Sequence, residues 1–216
     1  MKKAIMAMAT VGALLLAFLL GAWTYLGYAS IKDIKEPKYE VTQTAKEYEI
    51  RLYAPQIRAE VVIDGKYRES LYSGFRKLAD YIFGNNTAQV KVAMTAPVLS
   101  EKSQKIAMTA PVLQEKQEGK EAHVVSFVMP SEYTLETLPK PNNEEVMLRQ
   151  VPATRYAVLR FGGYATEGRS ASRIQKLQDA LVRDGIKTTD APQVAQYNPP
   201  WTPPYMRRNE ILIALD

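Results

Sequence analysis

Tyr48-Glu-Ile-Arg-Leu-Tyr53 begins the stretch that decides the fold, because apolar and polar residues alternate along it as in a half-buried strand. Pro55 ends this strand, and residues 57–63 resume the pattern as a second strand. A helix follows and stops at Gly84-Asn85-Asn86, where the residues tolerate a left-handed backbone. Its apolar face, built at spacings of three and four, consists of Tyr67, Leu71, Phe75, Leu78, Ala79 and Ile82.

The order strand, strand, helix returns in the second half of the chain. Residues 146–151 and 154–161 have strand character on either side of Pro152. Gly162-Gly163 then turns the chain into a second amphipathic helix, which ends at Gly185. The apolar stripe of this helix is Ile174, Leu177, Leu181 and Val182.

Each half returns to strands after its helix, at 123–129 in the first half and at 194–197 and 210–215 in the second. Antiparallel sheets commonly bury one face against helices. The repeated order therefore predicts an α+β domain with a pseudo-twofold strand-strand-helix repeat. Its antiparallel sheets should form a distorted open barrel with two flanking helices.

An apolar segment precedes this domain. Residues 4–31 include no charged side chain, and residues 5–26 are long enough to cross a hydrocarbon core of about 30 Å as a helix. Lys2 and Lys3 precede the run, which by the positive-inside rule places the N-terminus in the cytoplasm. The segment predicts a single-pass transmembrane helix in a bacterial inner membrane, with the domain in the periplasm. Interfacial aromatic residues cluster at its far end: Trp23, Tyr25 and Tyr28.

A cleaved secretory signal is the alternative, with Gly27-Tyr28-Ala29 as a small-x-small site before Ser30. The apolar run is longer than a usual signal core, which favours an uncleaved anchor. Both alternatives place the domain in the periplasm. We expect an anchor or signal at 1–31, a polar linker at 32–38 and one domain at 39–216.

Composition excludes several classes of function. The net charge of +5 is spread among acids rather than clustered, which argues against a nucleic-acid partner. The chain has no cysteine, so disulfides, thiol catalysis, thiolate metal sites and covalent c-type haem are excluded. No known catalytic motif stands out, and we therefore predict a protein that is not an enzyme.

A nine-residue segment occurs twice, as Lys91-Val-Ala-Met-Thr-Ala-Pro-Val-Leu99 and as Lys105-Ile-Ala-Met-Thr-Ala-Pro-Val-Leu113. The two apolar, β-prone copies flank polar residues 100–104, which predicts a hairpin with its prolines at strand ends. Met94 and Met108 either pack in the core or line a soft apolar pocket wall.

This duplication resembles a segment of the SOUL haem-binding protein family. Phe127-Val-Met-Pro-Ser-Glu-Tyr133, Val158-Leu-Arg-Phe-Gly-Gly163 and Tyr197-Asn-Pro-Pro-Trp-Thr-Pro-Pro-Tyr-Met-Arg-Arg-Asn-Glu210 are similar to that family as well. The resemblance covers the chain from Tyr39 to the C-terminus. It implies a compact α+β domain that binds haem or a related tetrapyrrole non-covalently, without an established catalytic reaction.

The resemblance also implies a site beside the first helix and the loop before the last strand. Arg207 or Arg208 would lie near the haem propionates. In the alternative reading, the helix residues pack in the core and the arginines form a salt bridge with Glu210. By motif position, the residues implicated for the macrocycle are Phe75, Leu78, Ala79 and Ile82.

His123 is the single histidine and the one imidazole that could serve as an axial ligand of iron. A lone histidine at a strand entrance is more typical of a surface or capping residue. The proline-rich segment 199–204 is stiff, and it either holds Trp201 and Tyr205 over a cleft or pins the last strand.

The predicted function is reversible binding of a tetrapyrrole by a membrane-tethered domain that acts as a buffer, carrier or sensor. Two alternatives stay open: a module that binds a different small-molecule effector, and a cell-envelope interaction protein without a ligand. The oligomeric state is left open.

Overall fold

The structure is a computed structural model that describes residues 2–89 and 103–216. It contains the helices α1 (Lys2–Ala29), α2 (Tyr67–Phe83) and α3 (Glu167–Arg183), and a short 3-10 helix at Pro204–Met206. The strands are β1 (Tyr39–Thr44), β2 (Glu49–Tyr53), β3 (Gln56–Asp64), β4 (Asn86–Thr87), β5 (Val112–Lys116), β6 (Ala122–Val128), β7 (Lys140–Pro141), β8 (Met147–Val151), β9 (Thr154–Gly162), β10 (Gln193–Gln196) and β11 (Arg208–Ala214).

Nine of these strands form one curled antiparallel sheet in the order β1-β2-β9-β11-β10-β5-β6-β3-β8. The short β4 and β7 pair separately. The order strand, strand, helix occurs as β2-β3-α2 and again as β8-β9-α3. The first strand of each unit pairs with the second strand of the other unit, β2 with β9 and β8 with β3. The predicted α+β half-barrel with a pseudo-twofold repeat is thereby confirmed.

Each flanking helix buries one face against its own half of the sheet. On α3, Leu177 and Leu181 pack against Ile211 of β11. On α2, Leu78 packs with Val125 of β6. Gly74 allows this close approach, because a Cβ atom there would lie 2.6 Å from the Val125 Cβ.

The inner face of the sheet carries a third cluster and several buried polar side chains. Because strand residues alternate in direction, Ile50 packs on the α3 side whereas Tyr53 belongs to the inner cluster. Tyr53 and Tyr156 stack edge to face there, with ring centroids 5.6 Å apart. The interior of the half-barrel is therefore filled by side chains.

The structure differs from the sequence predictions at Val182 and along part of the nine-residue duplication. Val182 is 79% exposed, because it lies about 100° around the helix from the buried Leu181. In the described copy of the nine-residue duplication, residues 103–108 have no regular structure and β5 begins only at Val112. Ile106 instead turns into the α2 cluster, where its amide donates to the Ile82 carbonyl at 2.8 Å. The other copy, with Met94, lies outside the described residues.

The predicted linker 32–38 lies against the domain instead of spacing it away. Ile34 packs on the inner cluster, and the carbonyl of Lys35 accepts the amide of Ala110 at 3.0 Å. Glu36 forms an ion pair with Arg208 at 2.9 Å. The connection between α1 and the sheet is therefore partly ordered by contacts with the sheet.

Candidate ligand-binding site

A cleft of about 770 Å³ opens between the linker, the β2–β3 turn and the segment that follows β6. Its volume falls within the range of small-molecule sites. A smaller depression of about 420 Å³ lies beside α3, where Glu47 is paired with Lys176 and Arg183. We regard the larger cleft as the candidate site, because its lining includes several apolar side chains, whereas the depression beside α3 is lined mainly by charged and polar residues.

The floor of the cleft is formed by apolar residues at the end of β6 and just beyond it. The amide of Met129 donates to the carbonyl of Ile57 at 2.8 Å, which holds the ends of β3 and β6 together. Pro130 cannot continue the ladder, and the chain turns so that Tyr133 and Leu135 line the same cleft. Met129 is 5% exposed, and Tyr133 and Leu135 are half-buried.

Two lysines lie at the rim of the cleft. Lys35 Nζ is 3.1 Å from Glu132 Oε1, and its side chain is 65% exposed. The Glu132 backbone amide and Lys35 together lower the pKa of the Glu132 carboxyl. Within residues 2–89 and 103–216, the Lys38 ammonium has no hydrogen-bond or ion-pair partner. An exposed ion pair is weak, so both ammonium groups are able to bind an anion.

The cleft offers the types of group that a tetrapyrrole requires. A macrocycle needs a broad apolar surface and its carboxylates need cations, which the floor and the rim provide. The Met129 thioether and the Tyr133 phenol are donor types that iron accepts. The Tyr133 hydroxyl accepts a hydrogen bond from Gln104 Nε2 at 3.2 Å. In the part of the chain that the structure describes, no group of three or more His, Cys, Asp or Glu could hold a metal ion.

The residues that the sequence implicated on α2 form a core cluster. Leu78 and Ile82 are 0% exposed, and Phe75 stacks edge to face on Phe127 with centroids 5.4 Å apart. Met108 packs against the same cluster, and Ala79 is half-buried. The structure thus brings these side chains together, but Leu78 and Ile82 present no surface to a ligand.

Arg207 and Arg208 lie outside the cleft and are occupied by protein partners. Arg207 donates to the carbonyls of Pro199, Pro200 and Thr202. Burial lowers the pKa of Arg207, whose guanidinium lies over the ring of Tyr164, 4.3 Å from its centroid. Arg208 is 3.0 Å from Glu210, as the salt-bridge alternative predicted.

His123 is held inside the protein. Its Nδ1 lies 2.9 Å from Ser70 Oγ and 3.2 Å from the Gly65 carbonyl oxygen, and the ring stacks edge to face on Tyr67. The side chain is 5% exposed, and burial lowers its pKa. Iron coordination would require the ring to leave this position.

An ionic cluster on the inner face was only partly expected from the sequence. Glu210 is 0% exposed and accepts hydrogen bonds from Arg51, Arg208 and Tyr197. Burial and the charge of Glu210 raise the pKa of Tyr197. Burial alone would lower the pKa of Arg51, but the Glu210 charge and its hydrogen bonds raise it. Since every charge is paired, the cluster braces the sheet rather than offering a site.

The cleft residues were missed as site residues by sequence reasoning. The Phe127-Val-Met-Pro-Ser-Glu-Tyr133 motif contains Met129 and Tyr133, and was a usable signal. Lys35 and Lys38 gave no such signal, because a polar linker has the same composition.

The curled half-barrel thus carries a cleft of small-molecule size, with apolar side chains and with charges of both signs, Lys35 and Lys38 beside Glu36 and Glu136. The model of the SOUL heme-binding protein family matches residues 34–104 and 99–214, and the chain belongs to this family. The resemblance seen in the sequence is thereby confirmed. Family membership supports the expected ligand class, which is non-covalent haem or a related tetrapyrrole.

Individual relatives agree with this assignment. Heme-binding protein 2 of Homo sapiens is 25% identical over 162 residues, covering 73% of this chain and 74% of the relative. Heme-binding protein 2 of Mus musculus is 25% identical over 139 residues, covering 64% and 63%. An uncharacterized conserved protein from Listeria innocua has a similar structure, with a TM-score of 0.55 at 9% identity, covering 79% of this chain and 93% of that one. At that identity the likeness shows the fold alone.

Proposed function

We propose that this protein binds haem or a related tetrapyrrole reversibly in the cleft, as a buffer, carrier or sensor rather than a catalyst. The observation that carries the proposal is the apolar cleft of about 770 Å³ with Lys35 and Lys38 at its rim, in a member of a haem-binding family. Haem, when bound, supplies a broad apolar face and two carboxylates. Ile57, Met129 and Leu135 would contact the face, and the lysines would pair with the carboxylates.

The cleft is preferred over the site on α2 for a physical reason. A macrocycle against Leu78 and Ile82 would have to displace packed side chains, with the loss of core contacts that this entails. The cleft is already an open volume of about 770 Å³. The site on α2, with Phe75, Ala79 and Met108 and with Arg207 or Arg208 at the propionates, stays a second proposal that the same experiment tests.

We further propose that α1 tethers the domain to a bacterial inner membrane with the domain on the periplasmic side. Residues Met8–Ala29 of α1 are long and apolar enough to span a bilayer, and apart from Gly27 near the end of the helix they are not buried in the protein. Lys2 and Lys3 at its start support a cytoplasmic N-terminus. A signal sequence passes the same test of length and composition, so cleavage is the alternative.

Haemin titration of the full chain in non-ionic detergent micelles tests the proposed ligand, with protein-free micelles as the baseline. We expect a saturable one-to-one change in Soret absorbance. Replacing both Lys35 and Lys38 by Gln removes two exposed charge contacts of about 0.5 kcal/mol each, so affinity should fall roughly fivefold. Lys120→Gln with Lys187→Gln is the matched control, because both lysines are exposed and outside the cleft.

The outcomes separate the proposed sites and functions. Weaker binding in the cleft double variant alone supports the cleft. Weaker binding in Phe75→Ala, with both lysine variants unchanged, would move the site to α2. A saturable response to unrelated apolar ligands but not to haemin would favour a different effector, and no saturable response to any ligand would leave the envelope interaction protein.

A further inference from the structure

We propose that residues 199–206 form a second membrane contact, which docks the domain against the interfacial layer of the bilayer that α1 crosses. We call these residues the proline loop. The proposal rests on the proposed membrane tether and goes beyond it, because a tether alone leaves the domain free to reorient. The partner is the boundary between lipid headgroups and acyl chains.

The proline loop is bonded to the last two turns of α1. Trp23 Nε1 donates to the carbonyl of Trp201 at 2.7 Å. Trp201 Nε1 donates in return to Ser30 Oγ at 3.0 Å. The hydroxyls of Thr24 and Tyr205 are hydrogen-bonded to each other. These bonds fix the loop beside residues 23–30, at the C-terminal end of α1.

Close packing accompanies the hydrogen bonds. A Cβ atom at Gly27 would lie 2.8 Å from Pro203 Cδ and 3.6 Å from Met206 Sδ. Gly27 is buried, in contrast to the exposed residues on either side of it. The absence of a side chain at Gly27 therefore lets the proline loop lie directly on the helix.

The position along α1 places this contact at the membrane surface. Counted from Lys3 at about 1.5 Å per residue, a hydrocarbon core of about 30 Å is crossed after roughly 20 residues, which brings the chain to Trp23. Residues 23–30 then lie in the interfacial layer, together with the proline loop. Tryptophan and tyrosine are the residues that favour this layer.

The surface of the proline loop has the chemistry that the interfacial layer accepts. Trp201 is 59% exposed and Tyr205 is 67% exposed, and residues 199–206 include no charged side chain. Backbone carbonyls are costly near lipid when they lack donors. Arg207 satisfies those of Pro199, Pro200 and Thr202, so it acts as a positioning residue that keeps the loop compact.

The two tryptophans of the chain provide separate reporters. Trp23→Phe leaves Trp201 as the single tryptophan and removes one hydrogen bond to the loop, while the Trp201–Ser30 and Thr24–Tyr205 bonds and the packing at Gly27 stay in place. Trp201→Phe leaves Trp23, which reports on the helix. Each full-length variant is reconstituted into phosphatidylcholine vesicles that carry bromines at a shallow or a deep acyl position. We expect both tryptophans to lose most of their fluorescence to shallow bromines, and Trp201 to be protected from iodide in the aqueous phase.

The outcomes distinguish failure of the docking from failure of the tether. If bromines quench Trp23 while iodide, and no bromine, quenches Trp201, the tether stands and the docking is overturned. If bromines quench neither tryptophan, both proposals are overturned. Quenching of both by shallow bromines supports both.

A glycine pair tests whether α1 holds the loop in place. In the Trp23→Phe background, Gly27→Val introduces a side chain against Pro203, and it should reduce bromine quenching of Trp201. Gly21→Val is the matched control, because a Cβ atom there has no neighbour within 4 Å. Equal quenching of Trp201 in the two valine variants would contradict the proposed packing of the loop on α1.

Discussion

Two regions of this molecule combine cations with aromatic side chains, and they differ in how deeply the charged groups are buried. In the inner cluster, Glu210 is 0% exposed and is bonded to Arg51, Arg208 and Tyr197. At the cleft, the Lys35 side chain is 65% exposed and its partner Glu132 is 50% exposed. The paired and buried cluster therefore serves the fold, whereas the exposed cations are available to a ligand.

The difference follows from the free energy of desolvation. Burying a charge is costly unless a partner of opposite charge and hydrogen bonds compensate for the lost water. An anionic ligand at Glu210 would have to displace a protein carboxylate that holds two arginines. At the cleft rim, a ligand carboxylate would replace only water or one weak surface pair.

Removing the charge of Glu210 should produce the largest effect. Glu210→Gln removes the one fully buried carboxylate of the cluster and leaves Arg51 and Arg208 with only their more exposed partners, Glu49 and Glu36. We expect the free energy of unfolding to fall by roughly 3–5 kcal/mol. Urea unfolding of the full chain in non-ionic detergent measures it. Glu145→Gln, which breaks an exposed pair with Lys77, should cost less than about 1 kcal/mol. Similar values for the two variants would contradict a structural role for the inner cluster.

Truncating the α2 core should destabilise the fold without weakening haemin binding. Leu78→Ala removes a fully buried side chain, and we expect it to lower the free energy of unfolding by about 2–5 kcal/mol. Its haemin affinity, measured while the protein is folded, should be unchanged. Leu177→Ala is the matched control on α3, since Leu177 is also 0% exposed. If Leu78→Ala weakened haemin binding and Leu177→Ala did not, the α2 site would replace the cleft.

The fold was largely predictable because its signals are local. Alternation in Tyr48–Tyr53, the spacing of apolar residues on α2 and the stop at Gly84 each depend on neighbours in the sequence. The pairing of β2 with β9 and of β8 with β3, each across the two halves, was not predictable, since strand pairing is decided by contacts between distant residues. Ile106 illustrates the limit, because its β-prone segment turns instead into the α2 cluster.

The candidate site was less predictable than the fold. Leu78 and Ile82 have the pattern of an apolar helix face, and that pattern is the same for a core and for a ligand wall. The cleft is formed by Lys35, Ile57 and Tyr133, which are far apart in the sequence and meet only where β3 and β6 end. A site assembled in this way leaves no spacing that sequence alone could reveal.

His123 should give the smallest effect, and it separates a buried structural histidine from an accessible one. Burial lowers the pKa of His123 in the folded state, whereas a histidine in the unfolded chain has a pKa of about 6.5. As the pH falls below that value, the unfolded state binds the proton first, so the free energy of unfolding decreases. The stability contributed by neutral His123 is therefore present above about pH 6.5 and is lost toward acid. Urea unfolding between about pH 7.5 and about pH 5.5 should show a shallower decrease in His123→Gln than in the parent chain. Equal slopes would mean that the imidazole titrates as freely in the folded protein as in the unfolded chain, and it would again be open to a ligand.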